Sequence, residues 1–271
     1  MLKTRVITAL VLLAVLLPVL FLSDFIVFAV VTLAFFAAGA WEGLRLFRLL
    51  RPQLWAGVWT AVYAALVFVS GLSGVCGLLG LCVALWVFSF APALKLGLPL
   101  PGTPGDRLLS VAYILALMGC FIAIVDLLRH APLYLLSVMA IVWVADIGAY
   151  FAGKGYGRRK LAPSISPGKS WEGAVGGWLA VLVIGAATVI CLGDDTFSGR
   201  LYERYGWSGF VMVMTLLVIA AVVGDLFESQ LKRRAGIKDS SNLLPGHGGV
   251  LDRIDALIPV LPLAALIDLR L

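Results

Sequence analysis

An all-α polytopic integral membrane protein with about nine transmembrane helices is the fold class this chain predicts, and three observations carry the prediction. Hydrophobic residues fill 62% of the 271 positions and charged residues 13%, against about 45–50% and about 25% in ordinary soluble domains. Apolar stretches of bilayer-spanning length recur along the whole chain. Lys and Arg crowd the connections on one side of the resulting zigzag.

A hydrocarbon core of about 30 Å takes roughly 17 to 25 helical residues. Stretches of that kind lie near 6–22, 25–41, 54–70, 73–91, 108–128, 132–153, 172–193, 208–228 and 250–267. The first follows Lys3 and Arg5, as the apolar core of a signal peptide would, but no small-residue cleavage site follows it, so it is read as a retained span. The second and third are joined through Arg45, Arg48 and Arg51, and the fourth and fifth through Lys95 and Arg107. The sixth and seventh enclose one Gly- and Lys-rich loop, and the eighth and ninth enclose another. Of the 21 Lys and Arg residues, Arg129, Arg200, Arg204 and Arg270 fall on one side and all the others on the opposite side. By the positive-inside rule the N-terminus is cytoplasmic, the C-terminus is outside, and both Gly-rich loops face the cytoplasm from a bacterial-type inner membrane.

The net charge of +6 suits anionic lipid headgroups and phosphates rather than a nucleic acid. Topology signalling alone accounts for the basic residues near Arg45 and Lys95. Cys76, Cys82, Cys120 and Cys191 show no metal-ligand spacing and read as small buried hydrophobes. No internal repeat or soluble-length linker divides the chain. It is one membrane domain, with residues 1–130 as scaffold and oligomer surface and 131–271 as the catalytic region.

Charge near hydrocarbon costs roughly 2.5 to 3.5 kcal/mol per group at a helix centre, so a dense charged cluster between two spans marks a site. Ser229 to Asp255 is that cluster. Asp225 and Glu228 lie three residues apart at the end of the eighth span and share a helix face. Asp252 and Asp255 repeat the arrangement at the start of the ninth. Four carboxylates at one depth repel unless a cation neutralises them, and hard oxygens suit Mg²⁺ shared with substrate phosphates, with a second cation allowed. The competing reading makes them ion pairs with Lys232 and Arg253.

Between the two pairs stand Lys232, Arg233, Arg234 and Lys238, then P-G-H-G-G from Pro245 to Gly249. Gly248 and Gly249 let backbone N–H groups approach a phosphate closely. His247 is not needed as a general base, because a phosphate monoester with second pKa near 6 is mostly ionised at neutral pH. A hydrogen bond to phosphate or a structural role suits it better. In the other loop, S-I-S-P-G-K-S-W-E-G from Ser164 to Gly173 lacks the first glycine and the preceding strand of a P-loop. Lys169 and Ser170 remain candidates for phosphate contact, and Glu172 for capping the next helix. Asp146, about two turns inside the sixth span, is a further functional candidate.

The run S-Q-L-K-R-R-A-G-I-K-D-S-S-N-L-L-P-G-H-G-G-V-L-D-R-I-D from Ser229, with D-I-G-A-Y-F-A-G-K-G-Y-G from Asp146 and S-P-G-K-S-W-E-G from Ser166, resembles the phosphatidate cytidylyltransferase (CDP-diacylglycerol synthase) family. The likeness covers residues from about 140 to the C-terminus. Where that family often carries two adjacent lysines in the S-P-x-K step, this chain has Gly168 before Lys169. The resemblance implies a Mg²⁺-dependent, dimeric membrane enzyme that transfers CMP from CTP to phosphatidate. It implies Asp225, Asp252 and Asp255 as metal carboxylates, and Lys232, Arg233, Lys238, Asp239 and His247 around the nucleotide and phosphates. A transporter, with Asp146 and Asp225 as ion sites, is the competing class, and the lack of inverted repeats counts against it. A polyprenyl-alcohol kinase or transferase is the third.

Overall fold

The computed structural model describes residues 2–69 and 74–269, without the side chains of residues 2–7, 9 and 12. The Lys3, Arg5 and Arg270 side chains and the junction of the third and fourth expected spans therefore lie outside the described residues. Each expected apolar stretch is helical: α1 (Leu2–Leu22), α2 (Phe25–Leu46), α3 (Pro52–Phe68), α4 (Val75–Leu85) running through a π-helical turn into α5 (Ala91–Leu96), α6 (Pro104–Leu128), α7 (Pro132–Tyr156), α8 (Trp171–Leu192), α9 (Phe197–Ala235) and the pair α10 (Leu251–Ile254) and α11 (Leu257–Asp268). Among the described residues, six helical stretches are long and apolar enough to cross a membrane: α2, α4 with α5, α6, α7, α8 with the short turn after it, and α9.

The ninth stretch and two of the six long stretches carry local irregularities. The ninth stretch is broken, because Pro259 has no N–H to offer the carbonyl of Asp255 one turn earlier and the chain turns at Asp255 and Ala256 before α11 begins. Its 12 residues span about 18 Å. α9 is bent at Gly206, whose φ of 64° and ψ of −170° leave the helical region. From Trp207 onward it stays helical to Ala235, about 43 Å at roughly 1.5 Å per residue, so its basic last turn runs well past a core of about 30 Å. The π-helical turn Trp86–Phe90 swings Trp86 and Phe90 against Phe227 and Tyr113 in a buried aromatic cluster.

Contacts between distant segments define two ends of the bundle. At one end Arg234, near the end of α9, donates to Asp106 at the start of α6 (2.7 Å) and to the Pro99 carbonyl (3.1 Å). Arg48, after α2, donates to the Ala235 carbonyl (3.3 Å). At the other end His130 lies 2.6 Å from Asp268 and 2.9 Å from Arg200. Close backbone approach packs α7 on α8: a Cβ on Gly176 would stand 2.1 Å from the Ala152 Cβ, and one on Gly177 2.5 Å from the Ala145 carbonyl oxygen. Small residues at such a seam let transmembrane helices meet tightly. Cys82 and Cys120 are buried as expected, whereas Cys76 and Cys191 are exposed, and all four are free thiols.

Candidate active site

Between α7 and α8 the chain forms a two-stranded antiparallel hairpin, β1 (Lys160–Ala162) against β2 (Ser166–Ser170), where the sequence suggested only a loop. β2 leads directly into α8, so Lys169 and Ser170 are fixed at the helix entrance. Ser170, not Glu172, is the cap: its hydroxyl accepts the Gly173 N–H at 3.1 Å. Glu172 instead accepts the N–H groups of Arg158 (3.0 Å) and Arg159 (3.2 Å), tying the exit of α7 to the start of α8. The tight α7–α8 seam then brings Asp146 to the same cleft.

That cleft has a volume of about 380 Å³ and is lined by Asp146, Lys169, Ser170 and Asp225 together with Tyr150 and Lys154. The Lys169 ammonium is ion-paired with Asp225. Ser229 donates to Asp225 at 3.3 Å. The chain at Asp255 packs against α9 at the residue before Asp225, where a Cβ on Gly224 would stand 2.5 Å from the Asp255 carbonyl oxygen and 2.8 Å from Pro259. Asp146 and Asp225 line this cleft together with the Lys169 ammonium. One end of the cleft, at Leu161, Ala174, Val218 and Val222, continues into an apolar groove between α8 and α9.

Glu228 and Asp252 do not join Asp225 and Asp255 as one set of ligands. Lys232 pairs with both of them, at 2.7 Å from Asp252, and Glu228 is fully buried. Asp252 also accepts the Gly249 N–H (2.7 Å), the Ser240 N–H (2.9 Å) and the Ser240 hydroxyl (3.0 Å). Burial alone would raise the Asp252 carboxyl, but the Lys232 ammonium and these two N–H groups hold it below the ordinary carboxylate range. The ion-pair reading therefore describes Glu228 and Asp252 with Lys232 as partner. Arg253 takes no part in it and grips the His247 carbonyl with two N–H groups (2.9 and 2.6 Å).

The loop from Gly236 to Val250 is clamped from the far half of the chain. Glu42, fully buried near the end of α2, accepts from the Ser240 hydroxyl (3.1 Å), the Ser241 hydroxyl (2.5 Å), the Val250 N–H (3.1 Å) and the Leu251 N–H (2.7 Å). The last two are orphan donors at the start of α10. Thr8 of α1 adds a bond to the Pro245 carbonyl at 2.7 Å. Residues 1–130 thus shape the loop as well as support it. Gly248, at φ +83° with Asp252 Oδ2 at 2.6 Å from where a Cβ would sit, admits no side chain. Lys238 and Asp239 are exposed on this loop. Arg233 donates to the Ile165 carbonyl (3.4 Å), and the buried His247 Nδ1 has no hydrogen-bond partner among the described residues.

Of the sequence-selected residues, the structure brings Asp146, Lys169, Ser170 and Asp225 together around the cleft, and Asp255, against Gly224 of α9, is not among its lining residues. It gathers Glu228, Lys232, Asp252 and Gly249 into a neighbouring ion-pair and loop-anchoring cluster. Glu42 escaped the sequence reading, although a carboxylate inside the apolar run A-A-G-A-W-E-G is the same signal that singled out Asp146. Among the described residues no three His, Cys, Asp or Glu groups stand close enough to hold a metal by themselves. Mg²⁺, however, commonly takes one or two carboxylates and completes its shell with phosphate and water oxygens. The hard-oxygen groups of Asp225 and Asp255 suit that mode rather than an all-protein cage.

A model described as the cytidylyltransferase family matches residues 3–269 of the chain. The chain is 42% identical over 271 residues to a phosphatidate cytidylyltransferase of Pseudomonas aeruginosa, covering 98% of this chain and 96% of that protein. It is 37% identical over 286 residues to a phosphatidate cytidylyltransferase of Haemophilus influenzae, covering 97% and 96%. A phosphatidate cytidylyltransferase of Bacillus subtilis is 39% identical over 154 residues, covering 57% of this chain and 54% of that one.

Proposed function

This chain belongs to the cytidylyltransferase family, and from that premise we propose that it transfers CMP from CTP to phosphatidate. The products are CDP-diacylglycerol and pyrophosphate, formed at the cytoplasmic face of a bacterial inner membrane in phospholipid synthesis. One observation supports a lipid phosphate as acceptor above all: the cleft holding Asp146, Lys169, Ser170 and Asp225 runs without interruption into the apolar α8–α9 groove. A phosphate-bearing head and a hydrocarbon tail need those two surfaces side by side.

In this reading a phosphate oxygen of phosphatidate attacks the α-phosphorus of CTP, and the bond from that phosphorus to the β-phosphate oxygen breaks in line. No general base is required, because the attacking phosphate is mostly ionised at neutral pH. Lys169, free to leave Asp225 for a more strongly charged oxygen, steadies the phosphoryl group as charge moves onto the departing pyrophosphate. Lys232 stays a fixed cation on Glu228 and Asp252 and orders the loop through Asp252, while Arg233 and Lys238 draw the triphosphate in from solvent. Asp225 and Asp255 would hold Mg²⁺, which supplies further charge neutralisation at the phosphates when bound. We also assign the working unit as a homodimer within the lipid bilayer.

Purified protein given CTP, Mg²⁺ and phosphatidate should release pyrophosphate. Replacing phosphatidate with a polyprenyl alcohol should abolish release. Equal release with the alcohol, or none with phosphatidate, would overturn the assignment.

A further inference from the structure

A second groove, of about 610 Å³, opens at the same end of the bundle between the end of α2, the first turns of α3 and the start of α6, and shares no residue with the catalytic cleft. Its two chemistries are separated. Trp55, Val58, Trp59 and Val62 of α3 form an apolar wall, and Arg48 and Arg107 stand in the lining with their side chains exposed. The one carboxylate in the lining, Asp106, is already engaged by Arg234 at 2.7 Å. The Arg107 guanidinium has no hydrogen bond or ion pair among the described residues; only its backbone is bonded, N–H to the Thr103 carbonyl (3.1 Å) and carbonyl to the Ser110 hydroxyl (2.7 Å).

Arg48 carries a second signal. α2 ends in a Schellman-type turn, with the Arg48 N–H on the Arg45 carbonyl (2.9 Å) and the Leu49 N–H on the Leu44 carbonyl (3.2 Å). That turn puts Arg48 at φ 54°, a position usually given to glycine. Arg51, three residues on, sits at φ 55°, and these two arginines are the only described non-glycine residues with positive φ. The Arg48 guanidinium donates to the Ala235 carbonyl at 3.3 Å, and the strained turn keeps this exposed cation in the groove lining where glycine would leave none.

We propose that this groove is a binding site for a phospholipid with an anionic headgroup, its phosphate held between Arg48 and Arg107 and one acyl chain lying along the Trp55–Val62 face of α3. Guanidinium groups match phosphate geometry, and Trp side chains favour the level of the headgroups. A water-soluble phosphate would leave the apolar wall bare. A second copy of the chain, packed about a two-fold axis, would oppose like charges with no carboxylate left to neutralise them.

The test is native mass spectrometry of the detergent-purified full chain with phosphatidylglycerol or phosphatidylcholine, comparing wild type with the double variant Arg48→Gly, Arg107→Gln. Glycine keeps the left-handed turn, and Arg107→Gln alone, at an exposed position, removes one guanidinium without touching the Arg48–Ala235 bond. Wild type should retain one phosphatidylglycerol more per chain than the double variant, with affinity lowered about tenfold for each lost guanidinium contact. Phosphatidylcholine adducts should be equal, and glycerol 3-phosphate should not displace the bound lipid. Equal phosphatidylglycerol retention by variants and wild type overturns the proposal. So does displacement by glycerol 3-phosphate, or a loss of dimer mass with lipid retention unchanged, which would make the face an interface between copies.

Discussion

Replacing Glu42 by Gln separates a loop clamp from a merely buried acid. The Glu42 carboxylate faces donors only: two hydroxyls and the N–H groups of Val250 and Leu251, split between its two oxygens. An amide offers one oxygen and one NH₂. Whichever way it turns, the NH₂ confronts one backbone N–H, while the serine hydroxyl on that side can rotate and accept. One buried N–H is thereby left unpaired, at about 1–3 kcal/mol. At roughly 2–4 °C per kcal/mol for a chain of this size class, the unfolding midpoint in detergent should fall by several degrees. CMP transfer should fall with it, because Ser240, which holds Asp252, and Val250 and Leu251, next to Gly249, are anchored through the same carboxylate. A double-mutant cycle with Ser241→Ala should show coupling of about 0.5–3 kcal/mol, as contacting residues do. A Glu42→Gln protein with wild-type midpoint and rate would refute the clamp.

Asp225→Asn should insert and fold yet lose most turnover, with the residual activity needing more Mg²⁺; normal rate and Mg²⁺ dependence would exclude it from the site. Arg234→Gln leaves buried Asp106 without its cation, so about 3–5 kcal/mol of stability should disappear, read as loss of folded protein by size-exclusion chromatography. Gly248→Ala forces a Cβ to 2.6 Å from Asp252 and should reduce activity and thermal midpoint together. Because the Asp252 carboxyl is held below its ordinary value, its stabilising contribution is present above the unfolded pKa near about 3.9 and lost as pH falls through the folded one. Asp252→Asn should flatten that acid limb in unfolding measurements.

The apolar helices were legible because hydrocarbon length is written directly into the apolar runs. The Lys232 pairing with Glu228 was equally open to reading as an i,i+4 neighbour. What escaped depends on contacts across the chain. Nothing local tells that Glu42 meets Ser240, since their partnership spans nearly the whole sequence. The β hairpin is too short and too rich in Pro and Gly to alternate, so S-P-G-K-S reads as loop. The break before α11 follows from Pro259, whose effect on Asp255 four residues earlier is masked by the apolar run around it. The backbone stays helical through Asp255, whose N–H still bonds the Leu251 carbonyl at 3.0 Å, so Asp252 and Asp255 keep their i,i+3 relation as the spacing suggested.

The central claim is that the α-phosphate of CTP, not its γ-phosphate, reaches the lipid. Purified protein in phosphatidate-containing vesicles with Mg²⁺ should move label from α-³²P-CTP into the chloroform-extractable lipid, while label from γ-³²P-CTP stays in the aqueous phase as pyrophosphate. Lipid labelled from the γ position, or no lipid labelled from the α position, would contradict it.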